Sequence, residues 1–281
     1  MLIGFSSSDS TVRYFPIPSE IHILDKRMTR ILTVIAHPDD ETMLTGGVLA
    51  LLARNGMEVY YLCATRGEGG EVGEPPVCAR DQLGTVRERE MRCAVQALGG
   101  ARVDFLGYID PLVGENDELH PYTDDLPELA SQIAACIQEI KPDAVITHGS
   151  NGEYGHPAHQ LTHQATCKAV ESLNEQAPIL YTFSASFPEH PRPRLVNRDD
   201  PADLVLDITP AIQQKIAAAL CHTSQHALFV RRSSVRAGRQ LTVPEVMMKL
   251  EGLHRLFPPI ETQVADPVIA ALEPWKWPPA H

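Results

Sequence analysis

The sequence predicts an α/β protein: a Rossmann-like, mostly parallel sheet with helices on both faces. Two observations carry that expectation. Apolar runs of strand length alternate with stretches of helical length, the pattern of βαβ units. The polar segments richest in histidine and carboxylate follow predicted strands, and the crevice outside the carboxyl ends of the strands is where open α/β sheets bind ligands.

The elements follow in order. Residues 1–27, with Ser6-Ser7-Ser8 and two prolines, read as an N-terminal extension; residues 28–281 read as a single α/β domain. The run 31–36 is the first strand, and a helix over 42–54 is stopped by Asn55-Gly56. A strand at 58–64 leads into a Gly- and Glu-rich loop from residue 65 to about residue 82, then a helix at 86–98 closed by Gly99-Gly100. A strand at 103–106 precedes a long polar loop, and a helix at 126–140 ends before Pro142. The strand at 144–148 gives way to a histidine-rich segment and a helix to about residue 173. Residues 179–183 and 204–208 are further strands, 211–225 and 243–256 are late helices, and the Pro-rich tail 274–280 is irregular.

With 43% apolar residues the chain can bury a sizeable core, and no run approaches a membrane span. The formal charge of −12, with no block of Lys or Arg, argues against nucleic acid as a partner. The six cysteines are scattered without a CxxC pair, and Cys63, Cys93, Cys136 and Cys167 sit in apolar stretches that suit small buried thiols. That usage fits a reducing cytoplasm, and the N-terminus lacks the basic and apolar regions of a signal peptide.

Two segments carry the chemistry. Residues 36–41 read Ala-His-Pro-Asp-Asp-Glu directly after the first strand; His37 and Asp40, three apart, can aim at one metal ion while Asp39 faces the water beside it. Residues 154–163 read Tyr-Gly-His-Pro-Ala-His-Gln-Leu-Thr-His, with Pro157 suited to the first helical turn. One histidine from this segment would complete a set of two histidines and one carboxylate, which leaves coordination positions open for catalysis. The bland alternative for Asp39 and Asp40 is helix capping. Gly67-Glu68-Gly69-Gly70 lacks the Lys-Ser/Thr ending of a phosphate loop and reads as a flexible active-site loop. Arg87 and Glu90 read as an exposed pair one turn apart.

Taken together, Ala36–Glu41, Thr65-Arg66-Gly67-Glu68, Leu106-Gly107 with Asp110, and Gly155-His156-Pro157-Ala158-His159 resemble the PIG-L/LmbE superfamily of metal-dependent de-N-acetylases. The resemblance runs from about Met28 to about Gln225, and the 154–163 tract is most similar to the mycothiol-pathway branch, which deacetylates N-acetylglucosaminyl-inositol. It implies a Rossmann-like fold that binds no dinucleotide, and no GxGxxG follows the first strand here. Residue by residue, it implies metal ligation by His37, Asp40 and His159, with Asp39 as general base. His156 and Tyr154 would stabilise the oxyanion and assist the leaving amine, and Arg66 and Asp110 would contact the sugar. By its position one turn further on, His163 either approaches the metal or supports the ligands from behind. His222, in Cys-His-Thr-Ser-Gln, resembles a late family motif and would line the pocket or lie buried and neutral. The family commonly carries Asp where this chain has Ala158, which shifts work from His156 toward Tyr154.

The expected activity is hydrolysis of an N-acetyl or related acyl amide on an amino sugar or sugar conjugate. The expected cofactor is Zn2+, with Fe2+ as the alternative. The expected partner is that small molecule, with neither nucleic acid nor membrane involved and homo-oligomerisation left open. Two other classes stay in view: a non-haem iron oxygenase, which also uses two histidines and a carboxylate, and a catalytically silent sugar-binding protein.

Overall fold

The computed structural model describes residues 27–278. The expected N-terminal extension falls outside these residues apart from Arg27, whose guanidinium pairs with Asp143 at 2.7 Å. β1 (Arg30–Ile35), β2 (Glu58–Thr65), β3 (Arg102–Tyr108), β4 (Ala144–Thr147) and β5 (Ile179–Phe183) are mutually parallel, and α1 (Asp40–Arg54), α2 (Leu83–Leu98), α3 (Leu126–Ile140), the short α4 (Gly152–Gly155) and α5 (Pro157–Ser172) connect them. After a small pairing of β6 (Ala185–Ser186) with β7 (Asn197–Pro201), the chain adds β8 (Leu204–Asp207), α6 (Ile212–Cys221), α7 (His226–Ala237), β9 (Leu250–Phe257) and α8 (Pro267–Leu272). The main sheet has the order β3-β2-β1-β4-β5-β9-β8. β9 is antiparallel to both of its neighbours.

Alternation of side chains splits β1 between two cores. Ile31 and Ile35 face a cluster with α1, α2 and α6; Leu32 and Val34 face one with α3 and α5. All four are at most 1% exposed, which is why the sequence shows an unbroken apolar run rather than an alternating one. Each such burial contributes roughly 1.5–3 kcal/mol. Among the described residues, no helix is long and apolar enough to cross a membrane.

Three expectations need correction. The helix expected at 243–256 is β9, preceded by a 3-10 turn at Pro244–Val246. Leucines at 250, 253 and 256 have helical spacing, but the strand fills the gap between β5 and β8, and sheet pairing outweighs that local preference. Gly252 belongs to this close fit: a Cβ there would lie 2.8 Å from the Ala185 carbonyl oxygen. The helix expected at 211–225 stops at Cys221, turns through Thr223–Gln225 and restarts as α7, which the sequence reading omits. Finally, Cys93 and Cys221 form a disulfide between α2 and the end of α6, so Cys93 is not a free thiol. Cys63 is a buried free thiol, as expected.

Candidate metal centre and active site

The strand order reverses between β1 and β4, which puts the switch point of the sheet at the polar segments that follow them. The ends of β1, β2 and β4 meet on one rim. The Ala36 N–H donates to His148 Nε2 at 3.1 Å, and Thr65 donates to the Ala36 carbonyl through its N–H (3.1 Å) and its hydroxyl (3.0 Å).

At this rim His37, Asp40 and His159 converge. His37 Nδ1 lies 3.3 Å from His159 Nε2 and 3.4 Å from Asp40 Oδ2, and His159 Nε2 lies 3.3 Å from Asp40 Oδ1. Ligand bonds of about 2.0–2.1 Å at tetrahedral angles separate neighbouring ligand atoms by about 3.3–3.4 Å; the two imidazole nitrogens meet that spacing with each other, and each meets it with a different oxygen of Asp40, so the set suits one small divalent cation faced by the Asp40 carboxylate. A carboxylate stands behind each imidazole: Asp110 Oδ1 is 3.2 Å from His37 Nε2, and Glu153 Oε2 is 2.6 Å from His159 Nδ1. Such carboxylates set the tautomer of a ligating histidine and raise its basicity. Burial disfavours a charged His37, but Asp110 and Asp40 outweigh it and hold its pKa up at about 9. Burial likewise opposes ionisation of Glu153, yet His148 and His159 keep its carboxyl well below the usual range.

Two further groupings of side chains lie within ligating distance: Asp40 with His148 and His159, and His37 with His156 and His159. His148, which the sequence reading places only at a strand end, is fully buried with both nitrogens engaged: Nε2 accepts from Ala36 and Nδ1 meets Glu153 at 3.1 Å. Its ring stacks on His159 at 4.0 Å, and Nε2 also lies 3.4 Å from Asp40 Oδ2. His156 Nδ1 accepts the Ala158 N–H at 3.2 Å and so caps α5, leaving Nε2 to carry the ring's proton. Burial and the neighbouring His159 and His37 push its pKa down to about 3, which makes it a neutral donor without help from residue 158.

Asp39 stands at the N-cap of α1, but its side chain makes no capping hydrogen bond. Instead Oδ2 accepts from Arg87 Nη2 at 3.1 Å. Burial, reinforced by Asp40 and Glu41 and opposed by Arg87, pushes its pKa up to about 6, close to that of a useful proton acceptor. Its φ of 105° is a strained conformation for a residue with a Cβ. Asp40 also does not cap the helix; Oδ2 accepts the His37 N–H at 2.8 Å.

The remaining expected residues divide. Tyr154 is half exposed, with its ring 5.6 Å from those of His156 and His159, at the mouth of the cluster. Arg66 is partly exposed and pairs with Glu68 at 3.1 Å. Asp110 is turned toward His37, with Oδ1 3.2 Å from its Nε2, rather than toward open space. His163 meets the His148 carbonyl through Nδ1 at 2.9 Å and Cys167 Sγ through Nε2 at 3.6 Å. His222 is buried behind the site, 2.8 Å from Glu41. Arg87 and Glu90 are buried, correcting the exposed-pair expectation. Arg87 also donates to the Pro38 and Gly67 carbonyls; Gly67, at φ 68°, has no room for a Cβ, which would sit 2.2 Å from Arg87 Nη1. Glu153 and Asn197 are missed by the sequence reading altogether. Asn197 Nδ2 donates to Glu153 Oε1 at 3.0 Å, and its Oδ1 accepts the Glu153 N–H at 2.9 Å. Asn197 comes from a distant segment with no motif of its own.

A Rossmann-like sheet with a buried His/Asp cluster of metal-ligating geometry at its switch point defines a class of α/β protein with a candidate metal centre. Comparison with known proteins narrows that class. Residues 32–170 match the family model for PIG-L, GlcNAc-PI de-N-acetylase. The 1D-myo-inositol 2-acetamido-2-deoxy-alpha-D-glucopyranoside deacetylase of Mycobacterium sp. (strain KMS) is 32% identical over 253 residues, covering 79% of this chain and 82% of that protein. The chain belongs to the PIG-L family, and it is an N-deacetylase acting on a carbon–nitrogen bond outside peptides. Among solved structures, GalB, the 4-carboxy-2-hydroxymuconate hydratase from Pseudomonas putida KT2440, has a TM-score of 0.58 and 22% identity, covering 85% of this chain and 100% of that one. The N,N'-diacetylchitobiose deacetylase from Pyrococcus horikoshii has a TM-score of 0.56 and 19% identity, covering 82% of this chain and 84% of that one. At such identities the structural likeness speaks for the fold, which a hydratase and a deacetylase share.

Proposed function

We propose that this protein is a Zn2+-dependent hydrolase that removes the N-acetyl group of an amino sugar conjugate, with a glucosaminyl-inositol as the leading substrate. The reading is carried by one observation: His37 Nδ1 and His159 Nε2 lie 3.3 Å apart and each lies 3.3–3.4 Å from one of the two carboxylate oxygens of Asp40, with Asp39 next in the chain to Asp40. The substrate class comes from the mycobacterial relative, whose name specifies 1D-myo-inositol 2-acetamido-2-deoxy-alpha-D-glucopyranoside.

His37, Asp40 and His159 would hold the ion, which when bound would supply Lewis acidity toward the amide carbonyl and the attacking water. Asp39 accepts the proton of the attacking water and returns it to the departing nitrogen. His156 Nε2 and the Tyr154 hydroxyl donate hydrogen bonds to the carbonyl oxygen as it gains charge. Arg66, at the partly exposed edge, is placed to meet sugar hydroxyls. Asp110 and Glu153 hold His37 and His159 in orientation, and Asp110 reaches the sugar only if it leaves His37.

The test is a panel of N-acetylated sugars, including N-acetylglucosaminyl-inositol and chitobiose derivatives, assayed for released primary amine. Release should stop with a chelator and return with added Zn2+ or Fe2+. Turnover that survives complete metal removal would refute the metal-dependent reading, and oxygen consumption without amine release would favour an iron oxygenase.

A further inference from the structure

The strained backbone of Asp39 is held by buried groups that approach it from three separate parts of the chain. Glu41 Oε2 accepts the Asp39 N–H at 2.9 Å, so the carboxylate two residues ahead reaches back to fix the peptide in its left-handed conformation. The other oxygen of Glu41 meets His222 Nε2 at 2.8 Å and the Thr42 hydroxyl at 2.5 Å. Arg87, from α2, binds the Asp39 carboxylate and the preceding carbonyl. Glu41 and His222 are fully buried, and Arg87 is 3% exposed. A buried carboxylate is costly without partners, and His222 is the partner that comes from outside the first motif.

His222 is itself fixed. The turn that follows it is gripped by Glu90, one helical turn beyond Arg87, which accepts from the Ser224 N–H at 2.8 Å, the Ser224 hydroxyl at 2.7 Å and the Thr223 hydroxyl at 2.5 Å. Cys221, immediately before His222, is bonded to Cys93, one turn beyond Glu90. A closed path therefore runs from α2 through the turn after α6 to the start of α1, and it ends on the backbone of Asp39. None of the hydrogen bonds in that path ends on the ligand atoms of His37 or His159.

We propose that His222, acting through Glu41, is a positioning residue that holds Asp39 in its strained conformation for proton transfer. This inference rests on Asp39 being the general base. Removing the His222 donor leaves Glu41 free to turn away, and Asp39 relaxes to an ordinary helix N-terminus with its carboxylate displaced from the reacting water. The effect falls on kcat and spares substrate affinity and metal content, because the ligands and the pocket edge are held by other contacts.

The experiment compares His222→Leu, His222→Gln and Glu90→Gln in the full chain, with kcat, KM, bound metal by elemental analysis and melting temperature measured for each. His222→Leu should lower kcat by about 10–100-fold, the usual loss on removing an outer-layer support, with KM changed less than about threefold and metal retained. His222→Gln keeps an N–H donor close to the Nε2 position and should recover most of the rate. Glu90→Gln, which loosens the turn without touching His222, should lower kcat in the same direction by a smaller factor and stands in if His222→Leu does not fold. The deciding arm is Asp39→Ala: combined with His222→Leu it should be no slower than Asp39→Ala alone, because groups acting as a unit are not additive. Wild-type kcat in His222→Leu, loss of metal in step with loss of rate, failure of His222→Gln to restore activity, or a full further loss in the double variant would each overturn the proposal. Full activity in Asp39→Ala alone would instead overturn the assignment of the base.

Discussion

Asp39 and Asp40 are adjacent, chemically identical and assigned different work, which makes them the sharpest probe of the site. Asp39→Ala should retain metal and fold while the rate falls by about 10²–10⁴, equivalent to roughly 3–5 kcal/mol of barrier. Asp40→Ala should lose metal affinity itself. Elemental analysis paired with the rate at saturating metal reads both, and metal loss in Asp39→Ala with retention in Asp40→Ala would reverse the roles. Glu153→Ala is a third probe. It strips the support from His159 Nδ1 and should weaken metal affinity by about 10–100-fold, measured by competition with a chromogenic chelator. At this scale the sequence is legible where chemistry and chain order coincide: His37, Asp39 and Asp40 share one turn, and His156 and His159 share another. It is not legible where the partner arrives through tertiary structure. Glu153 has its meaning only once Asn197, 44 residues on, and both His148 and His159 surround it.

Elements built from local patterns are equally legible: α3 and β5 have the boundaries their apolar periodicity suggests. β9 is not, because its inward-facing residues include Glu251, 2% exposed, where an apolar residue would have marked a strand. That carboxylate accepts the Gly47 and Val48 N–H groups of α1 at 2.9 and 2.7 Å and pairs with buried Lys215 at 2.6 Å. Lys215 also donates to the Met43 carbonyl, so the ion pair is inserted beside the α1 backbone and ties three elements together. Lys215→Met should destabilise the fold by about 3–5 kcal/mol, because it strands a buried carboxylate. Urea unfolding measures this; a midpoint unchanged from wild type would show that the backbone donors of α1 alone satisfy Glu251.

For the molecule as a whole, the disulfide joins residues 128 apart and so restricts much of the unfolded chain. The Cys93→Ser/Cys221→Ser variant should lose roughly 2–5 kcal/mol of stability, seen as a lower denaturation midpoint without reductant. An identical midpoint for both proteins would show that the two thiols are not bonded in solution. The overall α/β architecture was readable because parallel strands leave long apolar runs, whereas the disulfide depends on two helices packing side by side, a contact with no signature in cysteine spacing. The antiparallel β9 also sets an order of events during synthesis. The helix that opens the site is made early, but the carboxylate that closes the middle of that helix belongs to residue 251, so a chain still emerging from the ribosome must carry α1 with Lys215 unmatched until nearly nine-tenths of the polypeptide exists. The tie between α1 and the sheet is thus expected to form late in synthesis, and a nascent chain arrested before Leu250 should show the parallel strands protected from hydrogen exchange while the amides of Gly47 and Val48 still exchange.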